Sequence, residues 1–152
     1  MSVESVRAYF RAHGLDHDVL EFDGSTETVE LAAQALGVEP ELIAKTLAFK
    51  LKEKGILVVA KGTARIDNRK FKDEFGMRAK MLTPDEVLEK TGHPVGGVCP
   101  FALNEDLEIF LDESLKAFKK VYPAAGSKNT CIEITPEELY SVTGAKWVDL
   151  CK

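Results

Sequence analysis

The run Lys45-Thr46-Leu47-Ala48-Phe49-Lys50-Leu51 alternates with a period of two, and an apolar run over residues 56–60 follows it after Lys52-Glu53-Lys54-Gly55. Strand side chains point alternately to opposite faces, so two such runs joined by four residues predict a β-hairpin at the centre of a sheet. The alternation also sets a problem. Lys45 shares a face with Leu47, Phe49 and Leu51, the apolar face, while Thr46, Ala48, Lys50 and Lys52 take the other. An ammonium on a core-facing row is costly unless it is paired or its pKa shifts. Either Lys45, at the first position of its strand, bends its head out to solvent, or it is a functional group placed where a local rule is broken.

The other elements follow from their start and stop signals. A helix is predicted over residues 3 to about 13, with Ser2 as its cap, Val3, Val6 and Phe10 inward, and Gly14 as the stop. A short strand is expected over 19–22. An amphipathic helix is expected over 27–36, with Val29, Ala32, Ala33 and Leu36 on one face and Gly37 after it. Pro40 opens a short helical turn that delivers Lys45. Asp67 caps a helix through Phe71 and Phe75 that Gly76 ends. Thr83-Pro84-Asp85-Glu86 and Thr135-Pro136-Glu137-Glu138 are capping boxes with proline at the first helical position, and Gly92 and Gly144 stop the two helices. Each follows an extended run, 79–82 and 131–134, but their flanks do not match, so they are shared helix-start grammar and not a duplication. Further strands are expected over 107–111 and 146–150. Strands, hairpins and helices alternate irregularly, which predicts a single α+β domain over 1–152 with a mixed, mostly antiparallel sheet or partial barrel wrapped by helices.

The segment His93-Pro94-Val95-Gly96-Gly97-Val98-Cys99-Pro100-Phe101 is too apolar for an ordinary surface loop and too rich in glycine and proline for a regular strand. It reads either as a rigid loop that brings backbone N–H groups close to a ligand, or as a buried, glycine-bulged strand followed by a turn. On the first reading, a Cβ at Gly97 would narrow a pocket while leaving the fold intact.

Composition narrows the function classes. With 45% hydrophobic and 30% charged residues, and no stretch near the roughly 20 apolar residues of a membrane span, a soluble protein without a membrane partner is expected. The opening Met-Ser-Val-Glu-Ser-Val-Arg has no basic end before an apolar core, so no signal peptide is expected. Three cysteines, Cys99, Cys131 and Cys151, form no C-x-x-C; reduced thiols in a cytoplasm are expected, not a disulfide framework or a zinc site. The net charge of −5 does not advertise a nucleic-acid binder, yet residues 61–80 carry seven Lys/Arg against three Asp/Glu. Lys61, Arg65, Arg69 and Lys70 are therefore candidate phosphate contacts, with a solvated helix face as the alternative.

Standard catalytic motifs are absent: no G-x-S-x-G, Walker loop, dinucleotide fingerprint or H-E-x-x-H occurs. None of His13, His17 and His93 has metal-ligand spacing with another His or Cys. Cys99 is a candidate nucleophile with His93 the nearest base in sequence; a buried, inert thiol is the other reading.

Three segments together carry a resemblance. Ala44-Lys45-Thr46-Leu47, then Gly96-Gly97-Val98-Cys99-Pro100-Phe101, then Ala125-Gly126-Ser127-Lys128-Asn129 ahead of Cys131-Ile132-Glu133-Ile134 resemble the YbaK/EbsC family, which includes the editing domain inserted in bacterial prolyl-tRNA synthetases and its free-standing relatives. The resemblance covers nearly the whole chain. It implies a trans-editing aminoacyl-tRNA deacylase that hydrolyses the ester of mischarged tRNA, typically tRNA for proline carrying a small non-cognate residue such as cysteine or alanine, with no metal or organic cofactor. It implies that Lys45 is the central functional residue, acting on the carbonyl or holding phosphate or ribose. It places Thr46 and residues 96–101 at the aminoacyl pocket, and Gly126, Ser127 and Asn129 where the terminal adenosine is received. Water, the neighbouring ribose hydroxyl or a substrate side chain would be the nucleophile. An aminoacyl ester is already activated, so positioning and oxyanion stabilisation can suffice. The chain departs from some relatives in an acidic Asn104-Glu105-Asp106 after Pro100, no arginine at Ser127-Lys128-Asn129, and Cys99 where a serine can stand. These departures move the expected tRNA contact to residues 61–80 or to a prolyl-tRNA synthetase partner. A binding module of the same fold without hydrolysis, and a thiol hydrolase built on Cys99, are the alternatives.

Overall fold

The computed structural model describes residues 2–15 and 17–152; the side chain of Ser2, expected to cap the first helix, lies outside what it describes. The predicted hairpin is β2 (Ile43–Leu51) and β3 (Lys54–Lys61), paired antiparallel from Ala44 opposite Lys61 to Leu51 opposite Lys54. The turn is tighter than the four-residue connection expected. Lys52 adopts φ 55°, a left-handed conformation that closes the chain in two residues and leaves Lys54 and Gly55 inside the ladder.

Three shorter strands complete a mixed sheet. β4 (Glu108–Asp112) runs parallel to β3, β7 (Lys146–Val148) parallel to β4, and the two-residue β5 (Tyr122–Pro123) parallel to the start of β2, in the order β5-β2-β3-β4-β7. Parallel neighbours need crossovers. The β3–β4 crossover carries α3 (Asn68–Phe75) and α4 (Pro84–Thr91), and the chain between β4 and β7 carries β6 (Thr130–Ile132) and α5 (Pro136–Thr143). β1 (Val19–Glu21) pairs antiparallel with β6 as a separate two-stranded sheet. The fold is α+β, as expected.

Both faces of the large sheet are covered, which corrects the expectation of a polar face through Thr46 and Ala48. Residues 56–60 of β3 are all fully buried. Leu57 and Val59 enter one core with Ala44, Ala48, Leu111 and, from α1 (Ser2–Ala12), Val6 and Phe10. Ile56 and Val58 enter a second with Phe49, Phe71, Phe110 and Leu150. A strand sandwiched in this way reads as a continuous apolar run. The alternation in β2 marks one apolar row against another lined by small residues, not core against solvent.

Helix ends form as their residues dictate. Thr28 accepts from the Leu31 N–H, so α2 (Val29–Leu36) starts two residues later than expected and Glu27 stays outside it. Asp67 accepts from the N–H groups of Arg69 and Lys70 at the head of α3. Both capping boxes are present, at Thr83–Glu86 and Thr135–Glu138. The expected extended run at 79–82 contributes a single bridge, Met81 to Phe49, flanked by Lys50 N–H to Lys80 O and Leu82 N–H to Ala48 O. Among the described residues no helix is long and apolar enough to cross a membrane.

Gly62 locks the end of β3 beneath α2. A Cβ there would lie 2.2 Å from the Pro40 carbonyl oxygen and 2.7 Å from Val29 Cγ1, and the backbone carbonyl cannot swing aside. Forced overpacking costs typically 1–3 kcal/mol. Gly62→Ala should therefore lower the thermal midpoint by roughly 2–4 °C per kcal/mol in a domain of this size, read by circular dichroism. An unchanged midpoint would show that α2 shifts freely.

Candidate functional site

β3 flanks β2 along almost its whole length. On its other edge β2 has partners only near its ends, β5 at Ile43 and Ala44 and the 80–82 segment at residues 48–50. Between these, residues 45–47 border a cavity of about 450 Å³. That volume lies in the range of small-molecule sites. Its walls are the edge of β2, the residues leading into α2, the Gly96 loop and the start of α4. Lys45, Thr46, Gly96 and Val98 line it, so the structure brings together the strand lysine and the glycine loop, about fifty residues apart in sequence.

The ammonium of Lys45 donates to the carbonyl oxygen of Ala64, and the side chain is half-buried. Burial pushes its pKa below the ordinary lysine range; Arg65 pushes the same way, and Glu30 opposes. An ammonium has three donors, and Ala64 takes one. Thr46 is 9% exposed, and its hydroxyl has no hydrogen-bond partner among the described residues. A buried unpaired hydroxyl costs free energy, and a ligand in the cavity could satisfy it.

The rest of the predicted pocket loop lies behind the wall. Cys99, Pro100 and Phe101 are buried and do not line the cavity. The Phe101 ring packs against Phe10 at a 59° tilt with centroids 4.7 Å apart, and its carbonyl accepts from His93 Nε2 at 2.7 Å. These residues anchor the loop in the core, because the aromatic and the thiol are its most apolar members. Burial drives the Cys99 thiol up to about 12, the opposite of what a nucleophile requires. His93 is fully buried, and desolvation lowers its pKa. The pair expected of a thiol hydrolase is a packing element.

Gly96 and Gly97 are glycine for different reasons. Gly96, at φ 95°, sits where L side chains rarely go, and a Cβ on it would come within 2.8 Å of Glu27 Cβ. Gly97 is buried; its N–H is committed to Pro94 O at 2.9 Å, and its carbonyl accepts from Gly126 N at 3.0 Å. A Cβ on Gly97 would meet the backbone N, Cα and C of Ser127, each at 2.6 Å. The expectation that Gly97 offers a donor to a ligand is thus corrected: it permits contact between two loops. Gly126, Ser127 and Asn129 brace that contact and do not line the cavity. The Ser127 hydroxyl donates to Asn129 Oδ1, and Asn129 Nδ2 donates to Phe22 O.

Several lining residues escaped sequence reasoning. Thr26, Glu27 and Val29 flank the start of α2, Met81 precedes α4 and Val87 lies on it, and Tyr122 stands on β5 with its hydroxyl donating to Glu133. Of the basic stretch, Arg65 and Arg69 are exposed, and Lys61 is half-buried at the end of β3. Lys70 differs: its ammonium donates to Asp149 Oδ1 at 2.9 Å and Cys151 O at 2.8 Å, tying α3 to the C-terminal segment. Among the described residues no group of three or more His, Cys, Asp or Glu could hold a metal ion.

Gly97→Ala is expected to act on the fold. With three backbone atoms in the way, it should cost about 1–3 kcal/mol of stability, seen as an earlier denaturant midpoint. A variant as stable as the parent would return Gly97 to the cavity wall.

The comparisons converge on one family. Residues 23–142 match the model of the aminoacyl-tRNA editing domain. The chain is 51% identical over its whole length to the uncharacterized protein YwhH of Bacillus subtilis, covering 98% of that protein. It is 25% identical, over 91% of its length and 87% of the relative, to a putative Cys-tRNA(Pro)/Cys-tRNA(Cys) deacylase, EbsC, of Enterococcus faecalis. A solved putative trans-editing enzyme for prolyl tRNA synthetase superposes with a TM-score of 0.92 at 35% identity, over 99% of this chain and 97% of that one. With its fold, its lysine-lined cavity and its family match in agreement, the chain belongs to the aminoacyl-tRNA editing domain family, of the YbaK/EbsC kind.

Proposed function

We propose that the chain is a trans-editing deacylase that hydrolyses the ester of a mischarged tRNA, with tRNA for proline carrying a small non-cognate amino acid as the substrate. The observation that carries this reading is that Lys45, whose ammonium donates to the Ala64 carbonyl, lines a cavity shared with the Gly96 loop. As the acyl carbon becomes tetrahedral, its carbonyl oxygen gains charge. A half-buried ammonium acts on that charge more strongly than one in bulk water. Net, water supplies hydroxide to the acyl carbon and a proton to the ribose oxygen, the acyl–oxygen bond breaks, and free amino acid and tRNA leave. The family match and the relatives named for deacylation and trans-editing support the assignment.

The tRNA body would lie over the basic stretch, with Arg65 nearest Lys45 in electrostatic reach and Arg69 further along. A prolyl-tRNA synthetase could deliver the substrate, consistent with the similarity to a putative trans-editing enzyme for prolyl tRNA synthetase. Lys70 drops out of this surface, because its ammonium holds Asp149 and the Cys151 carbonyl.

The test is deacylation across a panel of mischarged tRNAs. Lys45→Ala should lose at least about tenfold in kcat/KM, roughly 1.4 kcal/mol of transition-state stabilisation. Cys99→Ser should keep most of the activity. A fully active Lys45 variant would remove this mechanism, and a parent that binds but hydrolyses none of the panel would make the chain a binding module.

The nucleic-acid surface is tested separately. Reversing Arg65 and Arg69 to glutamate should weaken binding to all tRNAs alike and flatten the salt slope by about one per lost phosphate contact. Unchanged affinity and slope would leave the stretch a solvated face.

A further inference from the structure

The cavity wall carries one cation and one anion. Lys45 is the only lysine or arginine among the described lining residues, and Glu27 the only carboxylate; the others are apolar, glycine, hydroxyl-bearing or thiol residues. Glu27 is not remote from the loop that shapes the pocket. It lies against Gly96, so closely that a Cβ on that glycine would come within 2.8 Å of Glu27 Cβ. It stays outside α2 because Thr28 takes the cap, and it lines the cavity. An aminoacyl ester presents a matching pair of groups: a carbonyl oxygen that becomes negative, and an α-amino group that is protonated below its pKa, about 7.7–8.0 for an ordinary α-amine.

Resting on the deacylase reading, we propose that Glu27 is a specificity-determining residue that binds the α-ammonium of the aminoacyl group, opposite in charge to Lys45. In the free protein Glu27 faces Lys128, with Oε2 3.7 Å from Nζ and both side chains largely exposed, at 43% and 61%. Exposed pairs at such separation hold their partners weakly. A substrate ammonium entering the cavity therefore exchanges for Lys128 at little cost. The exchange gives the site a means of telling an aminoacyl ester from an N-acylated or peptidyl one, whose nitrogen is uncharged and which has no partner for the carboxylate.

The experiment uses the full chain and a probe that cannot be hydrolysed, 3′-alanylamino-3′-deoxyadenosine, beside its N-acetyl derivative, with binding read by calorimetry. The parent should prefer the free amine by about tenfold, the scale of a hydrogen bond to a charged group. Glu27→Gln should erase that preference by weakening the free amine while leaving the acetylated probe unchanged. Lys128→Ala should keep the preference, since only a competitor is removed. If Glu27→Gln keeps the preference, or Lys128→Ala loses it equally, Glu27 acts only by bracing the Gly96 loop through Lys128, and the proposal is overturned. Because binding is read without hydrolysis, a parent that fails to deacylate any tRNA but shows the amine preference would sink the deacylase reading and keep this one.

Discussion

The structure depends on β2 being held unequally on its two edges. β3 pairs with it from Ala44 to Leu51, while β5 and the 80–82 segment reach the opposite edge only near its two ends. A strand buried on both faces can host a cavity only along an edge, because its faces are committed to packing. Here the interruption falls at residues 45–47. The same stretch that the hairpin holds rigidly is therefore the stretch that can meet a ligand. Mobility of this wall is limited by the longest ladder in the protein, and sites built on strands are held more closely than sites on free loops.

Opposite that edge the wall is built from loops, and they need a different support. Gly97 and Ser127 approach at backbone distance, Gly126 donates to Gly97 O, and Asn129 reaches Phe22. Phe101 and Cys99 pin the far end of the glycine loop into the core beside Phe10. The loop presents Val95, Gly96 and Val98 to the cavity, while Gly97, Cys99 and Phe101 are spent as anchors. Its invitation to a ligand is the surplus left after packing.

What the sequence disclosed follows from the range of the interactions involved. Caps at Thr28, Asp67, Thr83 and Thr135 are local contacts of two or three residues, so these helix starts could be read to within about two positions. Lys45 was legible because it broke the period-two pattern of its own strand. The second buried face was not, since alanine and threonine on a row carry no sign of the helices that cover them. Glu27 was hidden by its neighbours: it read as the first turn of a helix, and only the spatial meeting with Gly96 makes it a cavity residue. The family resemblance places Cys99 and Phe101 with the ligand because they belong to the matched 96–101 segment. Burial separated them, and a strand-and-loop pattern contains no term for depth. Lys70 looked like its basic neighbours, and its bond to Asp149 spans 79 residues.

The fold carries free-energy costs at two adjacent residues of β2. Lys45 is half-desolvated, and the Thr46 hydroxyl has no partner among the described residues. Neither arrangement stabilises the folded chain. Replacing Thr46 by valine would remove the unpaired group, and replacing Lys45 by methionine would relieve the desolvation, each at similar volume. Both costs fall on adjacent residues of one strand, at the one stretch of its edge that borders the cavity. Costs that packing alone would remove, gathered on one wall, support the proposal that this wall serves a ligand and not the core.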